Sequence, residues 1–188
     1  MSDWIQTFSG RRFWPLEPDP KDVCIEDIAH SLSMLCRYNG HCRKFYSVAE
    51  HSLHVQSIMA RTPLGKWDRG LQLAALLHDA SEAYLADVPG PVKPYLMGYK
   101  KAEAQVMAVI HQAFGLEDPG EYGPLIKTID TRILVNEAEM LMPVESDPWH
   151  LRFGHPYAIT IECYEPARAE VLFLKAAGAL LDGREFPR

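Results

Sequence analysis

Apolar residues recur along this chain with the period of helices and almost nowhere with that of strands. Ile25, Ile28, Ala29, Leu32 and Leu35 fall on one helical face, and Asn39-Gly40 is a fitting stop. Ser47-Val-Ala-Glu reads as a capping box, in which Ser47 accepts from the backbone N–H three residues on and Glu50 reaches back. It opens a second helix that runs to about Arg61. Beyond Thr62-Pro63, Asp68 to Leu85 carries an apolar face so broad that the segment belongs at the centre of the core, and Pro89, Pro91 and Pro94 stop it. Amphipathic stretches then run from Tyr99 to Phe114, from Leu125 to Met142 and from Glu165 to Leu181, the first two closed by Gly115 and Pro143. Ala158 to Cys163 suits one short extended piece. Residues 1–22, with Gly10, Pro15, Pro18 and Pro20, keep neither period and read as a looped arm. The aromatic rings of that arm, Trp14 among them, are expected to pack into the core rather than to stack on a ligand. The pattern predicts an all-α helical bundle with a loop-like N-terminal arm, one domain over residues 1–188.

Composition narrows the function. With 188 residues and 47% hydrophobic content the chain can bury a substantial core. A formal charge of -6 argues against stable nucleic-acid binding, which needs an excess of basic residues to displace counterions. A small anionic substrate held by a few cations stays open. Apolar runs such as Leu71 to Leu77 are far shorter than the roughly 20 residues a membrane-spanning helix needs. The start, Met1-Ser-Asp-Trp-Ile-Gln, lacks the charge and apolar run of a signal peptide, so the expected location is cytoplasmic. Cys24, Cys36, Cys42 and Cys163 lack CxxC spacing and are expected to be free thiols.

The chemistry concentrates in Leu76-Leu-His78-Asp79-Ala-Ser-Glu82, in the middle of the most apolar segment. Burying a polar group there without a partner costs roughly 2 to 7 kcal/mol, so something must compensate His78 and Asp79, and a divalent cation would do so. On a continuous helix Glu82 lies one turn from His78, beside that cation. A cation lowers the pKa of a bound water toward 7, and a carboxylate in that place is suited to take the proton. Upstream, His51 sits on its own helix; downstream, Asp130 lies on an apolar face with Ile126, Ile129 and Ile133. Four ligand types on three helices can converge.

With those residues in view, the sequence resembles the HD-domain metal-dependent phosphohydrolases, whose pattern is a His, a His-Asp doublet and a distant Asp on one metal. The matching positions are His51, His78, Asp79 and Asp130, and the resemblance spans roughly residues 25–135, which leaves 143–188 as a C-terminal extension. The elements His51-Ser, His78-Asp79-Ala-Ser-Glu82 and Asp87-Val-Pro-Gly-Pro-Val-Lys93 are similar to the nucleotide-directed branch, which includes 5′-deoxynucleotidases and small phage dATP triphosphohydrolases. The resemblance implies water activation by Glu82, a substrate or water role for Asp87, and phosphate contacts from Arg37 and Lys93. It also implies stacking near sugar or base by Tyr38, where the deoxynucleotidases carry Trp.

The implied reaction is hydrolysis of a nucleotide, with a slight preference for a triphosphate giving nucleoside plus triphosphate over a 5′-monophosphate giving nucleoside plus phosphate. Alarmone hydrolysis is disfavoured, because those HD enzymes carry Glu-Asp where this chain has Glu82-Ala83. A non-catalytic, metal-stabilised helical module is the alternative of another class. One divalent transition metal is implied, Mn, Co, Fe, Ni or Zn, with room for a Mg ion accompanying substrate phosphates. HD nucleotidases of this kind are often homo-oligomers. His54 shares a helical face with His51 and is a candidate to support that ligand; the other histidines have no evident ligand partners.

Overall fold

The computed structural model describes residues 3–116, 123–143 and 149–182. Residues 1–2 of the expected arm and 144–148 and 183–188 of the expected extension lie outside them. Among the described residues the fold is all-α apart from one two-stranded hairpin: α1 Ile25–Met34, α2 Val48–Met59, α3 Arg69–Leu76, α4 Glu82–Leu85, α5 Tyr99–Ala113, α6 Gly123–Leu141, α7 His150–Phe153 and α8 Pro166–Leu181. Helix α8 packs on α1, α2 and α3, and α2 also packs on α6. A principal apolar cluster joins Ile28, Leu32, Val48, Leu76, Val106 and Phe173, and a second joins Val55, Ala75, Ile129 and Ile133 between α2, α3 and α6. No helix among the described residues is long and apolar enough to cross a membrane.

The long helices follow the sequence period, and the departures have local causes. Helix α1 stops at Met34 rather than near Asn39-Gly40, because Leu35 turns extended and Cys36 pairs across an antiparallel bridge with Ser47. Asn39 and Gly40 instead form a tight turn at positive φ, which Gly tolerates freely and Asn better than most residues. Ser47 caps α2 as expected, its Oγ accepting from Glu50 N at 3.1 Å. Glu50 does not reach back. Its carboxylate accepts the backbone N–H groups of Glu162, Cys163 and Tyr164 at 2.7–3.0 Å, so this segment is pinned to α2 and forms no strand. Replacing Ser47 by Ala removes the cap from a fully buried position, and urea denaturation is expected to read a loss of about 1 kcal/mol.

The arm carries order that its irregular composition hid. Ile5–Gln6 (β1) and Arg12–Phe13 (β2) pair as an antiparallel hairpin, and Asp27 fixes its tip by accepting from Ser9 N at 2.6 Å and Ser9 Oγ at 2.8 Å. Phe13 is fully buried and stacks on Tyr84, ring centroids 3.8 Å apart. For Phe13 the expected packing into the core is what the fold uses.

Candidate metal centre

The expected single helix from Asp68 to Leu85 is broken where the chemistry sits. After Leu76 the backbone tightens into successive i to i+3 bonds, Ala80 N to Leu77 O, Glu82 N to Asp79 O and Ala83 N to Ala80 O, before α4 resumes at Glu82. The His78 imidazole contributes to the break, since its Nδ1 bonds the Ala75 carbonyl oxygen at 2.9 Å, an acceptor a continuing helix would use. His78 and Glu82 therefore do not stand one helical turn apart.

The fold brings the four expected ligand residues together. His51, His78 and Asp79 form a group able to hold a metal ion, with one ligand atom from each all within 4.8 Å of one another. His51 Nε2 lies 3.2 Å from His78 Nε2, 3.7 Å from Asp79 Oδ2 and 3.2 Å from Asp130 Oδ1. His78 Nε2 lies 3.2 Å from Asp79 Oδ2 and 3.9 Å from Asp130 Oδ1. Atoms bound to one ion at about 2.1 Å stand roughly 3 to 3.5 Å apart, so these separations fit a shared cation.

Orientation supports the same fit. His51 Nδ1 faces Glu137 Oε1 at 2.6 Å and His78 Nδ1 faces the Ala75 carbonyl, so each neutral ring holds its proton outward and turns the Nε2 lone pair inward. Two inward lone pairs attract no proton-free partner but a cation. Without that charge His78 supplies it. Burial pushes His78 down, but Asp79 and Asp130 overcome this and raise it to about 10. Asp79 and Asp130 are held well below the carboxylate range, because their histidine neighbours outweigh burial.

Glu137, which the sequence reading passed over, organises one side of the centre. Its fully buried carboxylate accepts from His51, from Tyr38 Oη, from Tyr46 Oη at 3.1 Å and from Arg37 Nη2 at 3.3 Å. A signal was present: Glu137 follows Asp130 by seven residues, on the apolar stripe of Ile126, Ile129 and Ile133. Arg37 is not solvated surface charge. It is buried, with Nη1 3.6 Å from Asp79 Oδ2 and its Nε without a hydrogen-bond partner. Tyr38 sits at φ 57, where a bulky residue is strained, and its bond to Glu137 holds it there. His54 does not support the cluster; its Nε2 is 3.6 Å from Glu50 Oε1.

On the other side lies Glu82, 4% exposed, whose Oε2 has no hydrogen-bond partner. Burial, then the charges of Asp79 and Asp87, raise its carboxyl to about 9. Asp87 is also raised, chiefly by burial. Lys93 Nζ lies 3.7 Å from Glu82 Oε1 and 2.7 Å from Glu103 Oε1, so it too is engaged with carboxylates. A cleft of about 400 Å³ opens beside His78, Asp79 and Asp130, with Lys93, Lys100 and Lys127 among its lining residues. Lys127, also passed over in the sequence, bonds Asp130 Oδ2 at 2.6 Å.

No family model matches the chain. It is 35% identical over 153 residues to "Uncharacterized protein YfdR" of Escherichia coli strain K12, a match covering 81% of this chain and 80% of that protein. It is 39% identical over 163 residues to "Uncharacterized protein RCAP_rcc00048" of Rhodobacter capsulatus, covering 84% and 83% respectively. The chain belongs to their family. At these coverages the matched region is most of each protein, and the centre described above is a site that the other family members can be examined for.

Proposed function

We propose that the protein is a cytoplasmic, metal-dependent phosphohydrolase of the HD type that acts on nucleotides, with (deoxy)nucleoside triphosphates as substrates and nucleoside plus triphosphate as products. The observation that carries the reading is the pair of inward-facing Nε2 atoms of His51 and His78, 3.2 Å apart beside two aspartates, with the partnerless oxygen of Glu82 near the same cleft. His51, His78, Asp79 and Asp130 would hold one ion among Mn, Co, Fe, Ni and Zn, since imidazole and carboxylate ligands suit all five. When bound, such an ion lowers the pKa of water and offsets phosphate charge. Glu82 is the group that exchanges the proton, and burial, then Asp79 and Asp87, raise its basicity. Arg37 brings its guanidinium to 3.6 Å from Asp79, and Lys93, Lys100 and Lys127 line the cleft, so cations stand near where a phosphate would sit. Tyr38 lies at the Arg37 edge for sugar or base contact, with Trp149 6.4 Å from its ring.

The test is incubation of metal-supplemented protein with ribo- and deoxyribonucleotides as mono- and triphosphates, products being resolved by chromatography. Release of triphosphate, lost in His78→Ala together with bound metal, is the expected result. Release of phosphate from monophosphates alone makes the protein a 5′-nucleotidase. Tight metal binding with no turnover of any nucleotide refutes the nucleotide reading and leaves a metal-stabilised module.

A further inference from the structure

The loop that delivers Arg37 and Tyr38 is flanked by two thiols that face each other. Cys36 Sγ and Cys42 Sγ are 3.5 Å apart, both partly accessible, and both sulfurs belong to free cysteines. The loop between them is anchored at each end. Cys36 pairs with Ser47, and Arg37 N donates to Tyr46 O at 2.9 Å. On the far side Arg43 N donates to Leu141 O at 2.8 Å. The fold therefore holds the two sulfurs at close approach, and a bond between them needs a movement of only roughly 1.4 Å, given a disulfide length of about 2.05 Å.

We propose that Cys36 and Cys42 are a reversible redox modification site, converted to an intramolecular disulfide by exchange with a small-molecule disulfide. Burial and the neighbouring Cys36 push the Cys42 thiol up to about 11, so Cys42 is a poor first nucleophile. Cys36 gives its proton to solvent and attacks one sulfur of the small disulfide, whose S–S bond breaks and releases one small thiol. Cys42 then loses its proton and attacks Cys36 Sγ, expelling the second small thiol. The protein is oxidised by two electrons and the small disulfide is reduced to two thiols. In a reducing compartment such a bond is transient, which suits sensing rather than stapling.

The bond closes a ring around Arg37 and Tyr38, the residues that contact Asp79 and Glu137. A misplacement of about 1 Å at a positioning group costs up to on the order of 10²-fold in rate, so oxidation, which constrains the loop carrying Arg37, is expected to depress turnover by up to that factor. This last step rests on the hydrolase reading; the thiol chemistry does not.

The experiment equilibrates folded, metal-loaded protein with glutathione disulfide at a series of ratios to glutathione, quenches with acid, and combines thiol titration with peptide mapping. The expected result is loss of two of the four thiols, a Cys36–Cys42 peptide pair, and recovery on adding dithiothreitol. Cys42→Ser is expected to stop at a mixed disulfide on Cys36, whereas the double variant Cys24→Ser/Cys163→Ser still forms the bond. Retention of all four thiols, or a bond involving Cys24 or Cys163, overturns the proposal. Equal turnover by oxidised and reduced protein overturns the coupling to Arg37. If the reduced protein turns over no nucleotide while the disulfide forms as described, it is the hydrolase reading that fails.

Discussion

Glu82→Gln is expected to keep metal affinity and lose about 10²- to 10⁴-fold in kcat, the usual worth of a positioned proton-transfer group. The substitution preserves size in a nearly closed site and removes only the ability to exchange a proton. Stability supplies an independent readout in metal-free protein. Burial and the nearby aspartates hold the Glu82 carboxyl protonated up to about 9, whereas the unfolded chain releases that proton near 4.5. Between those values the folded state binds more protons, so the contribution of Glu82 to stability falls as pH rises across the window. Glutamine is neutral throughout. The variant is therefore expected to gain on the wild type as pH climbs from 4.5 to 9, measured by urea midpoints in the presence of a chelator. A variant that turns over nucleotide like the wild type removes Glu82 from the chemistry.

That His78, Asp79 and Glu82 belong to one charged centre was legible because two ligand types and a third carboxylate in the most apolar segment of the chain demand compensation. The geometry was not. A period of 3.6 predicts a continuous helix through His78, and nothing in the letters says that the imidazole takes the Ala75 carbonyl and tightens the turn. Asp130 was visible as an acid on an apolar stripe, yet Glu137 on the same stripe was overlooked because its partners arrive from loop and helix positions about a hundred residues earlier. Arg37 and Lys93 entered as phosphate contacts through the resemblance alone, and no local pattern tells that tertiary contacts bury Arg37 against Glu137 and Asp79 and bind Lys93 to Glu103. The hairpin of the arm escaped for a simpler reason: two-residue strands are too short to show an alternation.

Glu137→Ala is expected to cost about 3 to 5 kcal/mol of stability, because it leaves the buried Arg37 guanidinium without its partner carboxylate. The hydroxyls of Tyr38 and Tyr46 lose their acceptor in the same step, and the positive-φ turn at Tyr38 loses the bond that holds it. Metal affinity is expected to fall about 10- to 100-fold, since His51 Nδ1 no longer has the acceptor that fixes its ring. Glu137→Gln separates these effects. The amide oxygen still accepts from His51 or a tyrosine, so the loss of metal affinity is expected to be smaller, while Arg37, left with Asp79 alone at 3.6 Å, keeps most of the stability loss. Acid titration checks the charge itself. Burial pushes Glu137 up, but Arg37 and His51 outweigh it and hold the carboxyl down to about 2. A carboxylate lowered in the fold stabilises above its unfolded value of 4.5, and that contribution is lost as pH falls from there towards 2. Asp79 and Asp130 keep part of the acid slope in both proteins, so Glu137→Gln should show a shallower slope than wild type. If both variants unfold within about 1 kcal/mol of wild type and bind metal equally well, Arg37 and His51 are held by other contacts, and Glu137 is not what organises the centre.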